Sequence, residues 1–163
     1  ESVSKEVGMP SPKVKAYLDD HGVAYETITY EYAYDAQHVA AAAHVSGKQL
    51  AKTVVMKVDD KLVMAVVPAH ARVDCERLKA ALGAARAELA KESDFRTLFD
   101  DCEVGAAPPL GPLYGVDVFV DESLTQAGTI AFRSGIHGEL IRMAYADFEK
   151  VAEPRVLALA YRR

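Results

Sequence analysis

The sequence contains few of the residues on which disulfide-bonded and redox proteins depend. Its 163 residues include only two cysteines, Cys75 and Cys102, and these do not form a Cys-x-x-Cys pair. Isolated cysteines are typical of proteins whose thiols stay reduced, as they do in the cytoplasm. We therefore expect a cytoplasmic protein without a disulfide framework.

Long apolar stretches are also missing. No run approaches the roughly 20 apolar residues that a membrane span requires. Charges are scattered from Glu1 to Lys15, which is unlike a signal peptide. The sequence thus predicts no membrane partner. Half the residues are hydrophobic and 26% are charged, a globular composition that predicts a single domain over residues 1–163.

Motifs for metals and nucleotide cofactors are absent as well. No Walker or Gly-x-Gly-x-x-Gly fingerprint occurs. The histidines form no close His-x-x-His or Cys/His cluster, so we expect neither a metal site nor a cofactor. These histidines are His21, His38, His44, His70 and His137. Cys102 with His137 is an alternative nucleophile and base, but no spacing supports that pair.

The net charge of −5 argues against a broad nucleic-acid footprint. It does not exclude a nucleic acid of which only one tip contacts the protein.

Helix signals recur along the chain. Ser11 is a predicted N-cap with Pro12 in the first turn, and Asp74 and Ser93 are predicted caps of two later helices. The predicted helices are Pro12 to Gly22, Asp35 to Gly47, Asp74 to Leu82, Ser93 to Phe99, Ala146 to Val151, and a terminal one from Pro154 to Arg162.

Strand signals occur mostly as hairpins. The predicted strands are Tyr25 to Tyr30, Lys52 to Val58, Leu62 to Pro68, Arg86 to Ala90, Gly115 to Asp121, Gly128 to Ser134 and Glu139 to Ala144. Consecutive hairpins predict a mixed α/β fold with a largely antiparallel or mixed sheet, rather than a doubly wound one. The segment from Leu62 to Val67 is apolar on both faces, which predicts a central strand.

The run from Val104 to Leu113 is neither helical nor extended in character. It contains two glycines and three prolines and carries no charge. An apolar, proline-stiffened loop is suited to lining a pocket. The small residues Gly105, Ala106 and Ala107 would let a ligand approach their backbone N–H groups. The alternative is a rigid linker between two elements.

This loop carries a resemblance to a known family. The motifs, in chain order, are Ala51-Lys52-Thr53, Gly105-x-x-x-Pro109, the segment Val118 to Leu124, and Gly135-x-His137-Gly138. Together they resemble the YbaK/prolyl-tRNA synthetase-associated editing-domain family, from about Val14 to Ala152. The resemblance implies a strongly curved, barrel-like sheet surrounded by helices.

Lys52 is the first candidate for chemistry. If a strand starts there, Lys52 shares a face with Val54, Met56 and Val58, and a cation beside an apolar pocket attracts phosphate or carbonyl oxygens strongly. The alternative is a solvated surface lysine. The family uses a lysine in this position for substrate binding and hydrolysis.

His137 lies in a turn between two glycines, Gly135 and Gly138. A turn histidine is often merely exposed, but the family's alanine-editing branch has one in a matching turn that helps define the amino-acid pocket. Thr53 stands where that branch has asparagine, so alanine as the preferred substrate is open. Asp121 follows a strand and is interpreted as a structural cap.

The resemblance implies a trans-acting aminoacyl-tRNA deacylase, since no synthetase catalytic domain fits in this length. The expected substrate is a mischarged tRNA, tRNA(Pro) with a small non-cognate amino acid, bound by its CCA end and acceptor stem. A synthetase is a further expected partner. A terminal ribose hydroxyl, the loop backbone and the lysine would replace a side-chain triad. The alternative is a catalytically silent tRNA- or nucleotide-binding module.

The site residues divide by role. The catalytic candidates are Lys52, Gly105, Ala106, Ala107 and Pro109, and the substrate-binding candidates are Thr53, Pro108, Gly135 and His137. The candidates for contacting acceptor-stem phosphates are Lys13, Lys15, Lys48, Arg72, Arg133 and Arg142.

Overall fold

A computed structural model describes residues 11–30, 45–46, 48–103 and 105–161. The strands in these ranges are β1 (Tyr25–Thr29), β2 (Ala51–Val58), β3 (Lys61–Pro68), β4 (Ala87–Leu89), β5 (Asp117–Asp121), β6 (Thr129–Arg133), β7 (Glu139–Ala144) and β8 (Arg155–Leu157). The helices are α1 (Pro12–Asp20), α2 (Cys75–Leu82), α3 (Glu92–Phe95), α4 (Gly111–Tyr114), α5 (Tyr145–Ala152) and a 3₁₀ helix (Glu122–Gln126).

A five-stranded mixed sheet has the order β4-β2-β3-β5-β8. The predicted hairpin of β2 and β3 is confirmed, and it turns at Asp59 and Asp60, both at positive φ. β3 pairs in parallel with β5, which pairs in parallel with β8. β3 therefore occupies the centre of the sheet, and six of its eight residues are buried, as its two apolar faces predicted.

The second sheet is antiparallel, with the order β1-β7-β6. It meets the first sheet at Leu50, which forms a bridge to Ala131, and the Ala131 N–H donates to Gln49 O at 3.0 Å. The mixed α/β class is confirmed, but the strongly curved, barrel-like sheet is wrong: among the described strands neither sheet closes or curls into a barrel. Because β5 pairs with β8 rather than with β6, the β6–β7 hairpin forms a separate sheet with β1.

The predicted terminal helix from Pro154 to Arg162 is also wrong, since Arg155–Leu157 form β8. The edge of β5 offers this segment a hydrogen-bonding partner that local sequence does not reveal. The buried Asp121 carboxylate then accepts the Leu159 and Ala160 N–H groups at 2.9 and 3.0 Å. These bonds keep the segment extended, which gives Asp121 the structural role that was predicted.

Two other helix predictions differ from the structure. Helix α3 begins at Glu92, and Asp94 accepts the Lys91 N–H, so Ser93 is not its cap. The helix ends at Phe95 instead of continuing to Phe99. The predicted helix from Asp35 to Gly47 lies outside the described residues except for Val45 and Ser46, which are not helical.

The two faces of the five-stranded sheet bury separate clusters. One face packs with the second sheet and with α1 and α5, around Val66, Phe132 and Phe148. The other face packs beneath α2, around Met56 and Leu78. Asp74 caps α2 with its side chain and Gly83 ends it at φ +63°, as predicted.

Glu139, at the start of β7, is the least expected residue of the interior. Its side chain is 0% exposed, and neither carboxylate oxygen accepts a hydrogen bond within the part of the chain that the structure describes. Burial raises the pKa of Glu139 to about 7, against a smaller opposite effect of the Ser134 hydroxyl. The folded protein therefore holds this carboxyl largely protonated below neutral pH.

Glu139→Gln should change how stability depends on pH. In the unfolded chain the Glu139 carboxyl titrates near 4.5, so between that pH and about 7 the folded wild type binds the extra proton. Its free energy of unfolding then falls across this window as pH rises, and is level above it. The advantage of Glu139→Gln over wild type should grow from pH 4.5 to 7, as measured by urea unfolding. A difference that is independent of pH would contradict the assignment.

None of the helices in the described ranges is long and apolar enough to cross a membrane.

Candidate active site

A cavity of about 370 Å³ lies between β2 and the loop that follows α3. Ala51, Thr53 and Val55 form its strand wall, since alternate residues of a strand share a face. The opposite wall contains the aromatic rings of Phe95 and Phe99. The cavity is at the small end of the range for ligand pockets, about 300–1,000 Å³.

The loop from Gly105 to Leu110 forms the third wall, but only part of it reaches the cavity. Gly105, at φ +80°, and Ala107 line the space. Ala106 is fully buried and its N–H donates to Glu103 O at 3.0 Å. Pro108 and Pro109 are buried and do not line the cavity.

Two residues of the loop, Gly105 and Ala107, combine a place in the cavity lining with a backbone N–H. No acceptor among the described residues takes the N–H of Gly105 or of Ala107. Pro108 and Pro109 have no N–H to offer. The loop can therefore present two backbone donors, from Gly105 and Ala107, to an oxygen bound in the cavity.

The turn that carries His137 is tied to this loop. The Glu103 N–H donates to Gly135 O at 2.7 Å, and the His137 N–H donates to Glu103 Oε1. A Cβ on Gly105 would lie 4.0 Å from His137 Cε1. The structure thus brings together the two motifs that lie about 30 residues apart in sequence. Gly135 has φ +116°, and an added Cβ there would press on Cys102 Sγ at 3.3 Å.

Arg133 contacts the His137 ring and determines which ring nitrogen accepts a hydrogen bond. Arg133 Nη1 lies 3.0 Å from His137 Nδ1, and Arg133 also lines the cavity. A guanidinium can only donate, so Nδ1 accepts and the ring proton resides on Nε2. This contact occupies Nδ1, which disfavours Nδ1 as a general base.

Lys52 lines the cavity from the start of β2. By strand alternation it lies on the face of Val54 and Met56, opposite to Thr53. Burial lowers the pKa of Lys52, and the nearby positive charge of Arg72 lowers it further. No carboxylate among the described residues pairs with its ammonium group.

Carboxylates at the cavity were not predicted from the sequence. Glu92, Asp100 and Glu103 all line it, and Arg96 lies among them. The acidic run that immediately precedes the glycine loop was a visible signal for Asp100 and Glu103. Such groups can pair with an ammonium group on a ligand. Within the described ranges, no cluster of His, Cys, Asp and Glu has the arrangement of a metal site.

Cys102 also lines the cavity, with Sγ 3.3 Å from Tyr114 Oη. Burial raises the pKa of Cys102 to about 11, so the thiol is protonated at neutral pH. A protonated thiol is a weak nucleophile.

We expect the double variant Cys75→Ser and Cys102→Ser to keep wild-type deacylation of a non-cysteine aminoacyl-tRNA. A loss of several hundred-fold, with circular dichroism unchanged, would indicate cysteine catalysis.

The six cations proposed for phosphate contacts have different surroundings. Lys15 pairs with Asp19 and Arg142 with Glu26, both at 2.8 Å. The Lys13 ammonium lies 4.7 Å from the centre of the Tyr114 ring. Arg133 holds His137, as described above, while Lys48 and Arg72 line a second cavity.

Comparison with known proteins agrees with the resemblance. A family model described as "Aminoacyl-tRNA editing domain" matches residues 31–151. A proline--tRNA ligase of Bacillus cytotoxicus is 34% identical over 88 residues, which is 54% of this chain and 15% of the ligase. Another, from Bacillus cereus strain G9842, is 28% identical over 116 residues, or 70% of this chain and 20% of the ligase. The chain thus spans a fifth or less of these relatives.

Solved structures share the fold. One of them, described as a "putative trans-editing enzyme for prolyl tRNA synthetase", has a TM-score of 0.80 and 18% identity, and the match covers 94% of this chain and 100% of that one. A scaffold protein from work on epitope backbone grafting has a TM-score of 0.82 and 17% identity, covering 94% of this chain and 97% of that one.

Proposed function

Because this chain belongs to the aminoacyl-tRNA editing domain family, we propose that it is a trans-acting deacylase that acts on tRNA(Pro) carrying a small non-cognate amino acid. Its reaction is hydrolysis of the ester between the amino acid and the 3′ end of the tRNA. The observation that carries the proposal is that Gly105 and Ala107 line the cavity while no described residue accepts a hydrogen bond from either N–H group.

These two donors suit the chemistry of ester hydrolysis. Attack on the ester carbonyl places negative charge on its oxygen, and two fixed N–H groups stabilise that charge more than they stabilise the neutral ester. The buried prolines hold the donors in place, so little reorganisation is needed during the reaction. Ala106, with its N–H already bonded to Glu103, serves to shape the loop.

The remaining cavity groups suit an aminoacyl ester. The carboxylates Asp100 and Glu103 offer a counter-charge for the free α-ammonium group. Thr53, Val55 and Phe99 restrict the space for the side chain, so that a small amino acid fits and a larger one is excluded. Lys52 provides positive charge for a phosphate or the ester carbonyl.

The thiol and histidine pair near the cavity is poorly suited to attack the ester. The Cys102 thiol is protonated, and His137, which does not line the cavity, has an Nδ1 that already accepts from Arg133. The attacking water is therefore activated by a group other than this pair. The family resemblance implies a terminal ribose hydroxyl of the tRNA for this role.

A size series tests the proposal. The substrates are tRNA(Pro) charged with glycine, alanine, serine, cysteine, valine or leucine, and the measurement is the first-order rate of ester loss at saturating protein. We expect the rate to be high for one or more small amino acids and to fall towards the spontaneous rate for the large ones. Tight tRNA binding with spontaneous rates throughout would instead indicate a silent binding module.

A further inference from the structure

A second and larger cavity, of about 870 Å³, lies beside the candidate active site. Lys48, His70 and Arg72 line it, and Tyr161 contributes an aromatic ring. We propose that this cavity binds the nucleotide that precedes the terminal adenosine of the tRNA, with its base stacked on the Arg72–Tyr161 pair and its phosphate held by Lys48 and Arg72. This inference rests on the proposed function, since it extends the substrate beyond the reacting ester.

The two cavities adjoin across one strand pair. Ala51 lines the candidate active site and Pro68 lines the second cavity, and these residues are directly opposite in the β2–β3 register. Opposed residues of antiparallel strands have Cα atoms about 5 Å apart. The charge of Arg72 also lowers the pKa of Lys52, which lines the first cavity. A single-stranded RNA end can therefore occupy both cavities with consecutive nucleotides.

The aromatic and cationic groups of the second cavity are held together by backbone bonds. The Tyr161 N–H donates to Arg72 O at 3.0 Å, and the Arg72 guanidinium carbon lies 5.5 Å from the centre of the Tyr161 ring. The Asp74 N–H donates to Leu159 O at 2.7 Å, so the two segments are bonded again two residues away. These bonds fix the backbone of the two segments, so a base can bind to the pair with little backbone rearrangement.

The charge at this cavity contrasts with the acidic chain as a whole. No carboxylate among the described residues forms an ion pair with Lys48 or Arg72, whereas Lys15, Lys57 and Arg142 are all paired. Asp121 is the carboxylate of the lining, and it accepts N–H groups of Ser123, Leu159 and Ala160 as well as the Ser123 hydroxyl. Its negative charge is thus offset by four donors, which leaves Lys48 and Arg72 attractive to a phosphate.

An exposed aromatic ring beside cations that no described carboxylate pairs with is typical of single-strand recognition. Tyr161 is 55% exposed although it is a large hydrophobic residue. Bases stack on such rings whatever their sequence, while cations follow the phosphates. The surface is therefore better suited to an unpaired nucleotide than to the phosphates of a duplex, which require no stacking platform.

The test uses an uncharged four-nucleotide RNA that ends in CCA, with affinity measured by fluorescence anisotropy over a range of salt concentrations. Tyr161→Ala should weaken binding about 5- to 100-fold, the scale of one lost base stack, and Tyr161→Phe should bind like wild type. Arg72→Ala and Lys48→Ala should each weaken binding and reduce the slope of log affinity against log salt by about 0.7. The matched control is Lys61→Ala, an exposed lysine at the far end of β3.

A second arm separates this proposal from the proposed function. The Tyr161→Ala variant should hydrolyse an aminoacylated tRNA more slowly than wild type under subsaturating conditions. It should hydrolyse an aminoacyl ester of adenosine at the wild-type rate. Tyr161-dependent RNA binding in a protein that hydrolyses nothing would support the nucleotide site and refute the deacylase. Wild-type RNA affinity and salt dependence in Tyr161→Ala and Arg72→Ala, or no measurable RNA binding by the wild type, would overturn the nucleotide site.

Discussion

Gly105→Val should lower the single-turnover rate of deacylation by about 10²–10³-fold, the usual cost of losing one oxyanion donor. Gly105 has φ +80°, a conformation that a β-branched residue adopts only with strain, and its added Cβ would face His137 Cε1 at 4.0 Å. The valine methyl groups would then occupy the approach to the Gly105 and Ala107 N–H groups. Pro109→Ala should be milder, because the donors remain while the loop loses stiffness.

The matched control for this substitution is Gly83→Val. Gly83 has φ +63° at the end of α2, with open space around its Cβ position, and it does not line the cavity. Both valine variants suffer backbone strain, so both should melt at lower temperature than wild type. Only Gly105→Val should lose activity per folded molecule. Equal activity in the two variants would indicate that the loop is a linker and not a catalytic wall.

Lys52→Ala should reduce deacylation about 10- to 100-fold, which corresponds to the roughly 1.5–3 kcal/mol of one hydrogen bond to a charged group. The structure supports this because Lys52 lines the cavity, and no described carboxylate pairs with it. Stability should change little, since burial and Arg72 already disfavour the charged form of Lys52. The measurements are single-turnover rate and thermal melting on the same preparation.

Lys57→Ala is the control for Lys52→Ala. Lys57 lies on the same strand, does not line the cavity and pairs with Asp94 at 3.3 Å. It should keep the wild-type rate and lose at most about 1 kcal/mol, the value of an exposed ion pair. A Lys52→Ala variant as active as Lys57→Ala would contradict a role for Lys52 in the reaction.

Local patterns were sufficient for most of the elements that form the site. The Asp59-Asp60 turn and the apolar β3 each follow from neighbouring residues. The run from Val104 to Leu113 was predicted to be irregular, which is wrong from Gly111 onwards, because Gly111–Tyr114 form the short helix α4 with Pro112 in its first turn. Gly111, the second glycine of the predicted run, is required for a reason that the sequence does not show. A side chain there would collide with the Val116 carbonyl, so this glycine permits close packing rather than a turn.

The two largest errors, the terminal helix and the barrel, arose where distant partners decide the outcome. The segment after Pro154 was predicted to be helical, but the open edge of β5 and the Asp121 carboxylate hold it extended. The same pairing separates the strands into two sheets, which the barrel expectation missed. Local propensity cannot anticipate a partner that lies more than 30 residues away.

The site itself was anticipated only in part. The loop, Lys52 and His137 were named from motifs, and the structure places the loop beside His137. The contact between Arg133 and His137 depends on the register of the β6–β7 hairpin and on side-chain orientation. The role of the cavity carboxylates, such as Glu103, is visible only in the folded chain, where the Glu103 N–H bonds to Gly135 O.

The most direct test of the account compares one mischarged substrate with its cognate form. Single-turnover ester loss is followed for tRNA(Pro) carrying the best small amino acid of the size series, and for the same tRNA carrying proline. We expect hydrolysis of the mischarged tRNA at least 100-fold above its spontaneous rate, with the prolyl ester close to its own spontaneous rate. Hydrolysis of neither ester above the spontaneous rate, by a folded protein that binds the tRNA, would contradict the account.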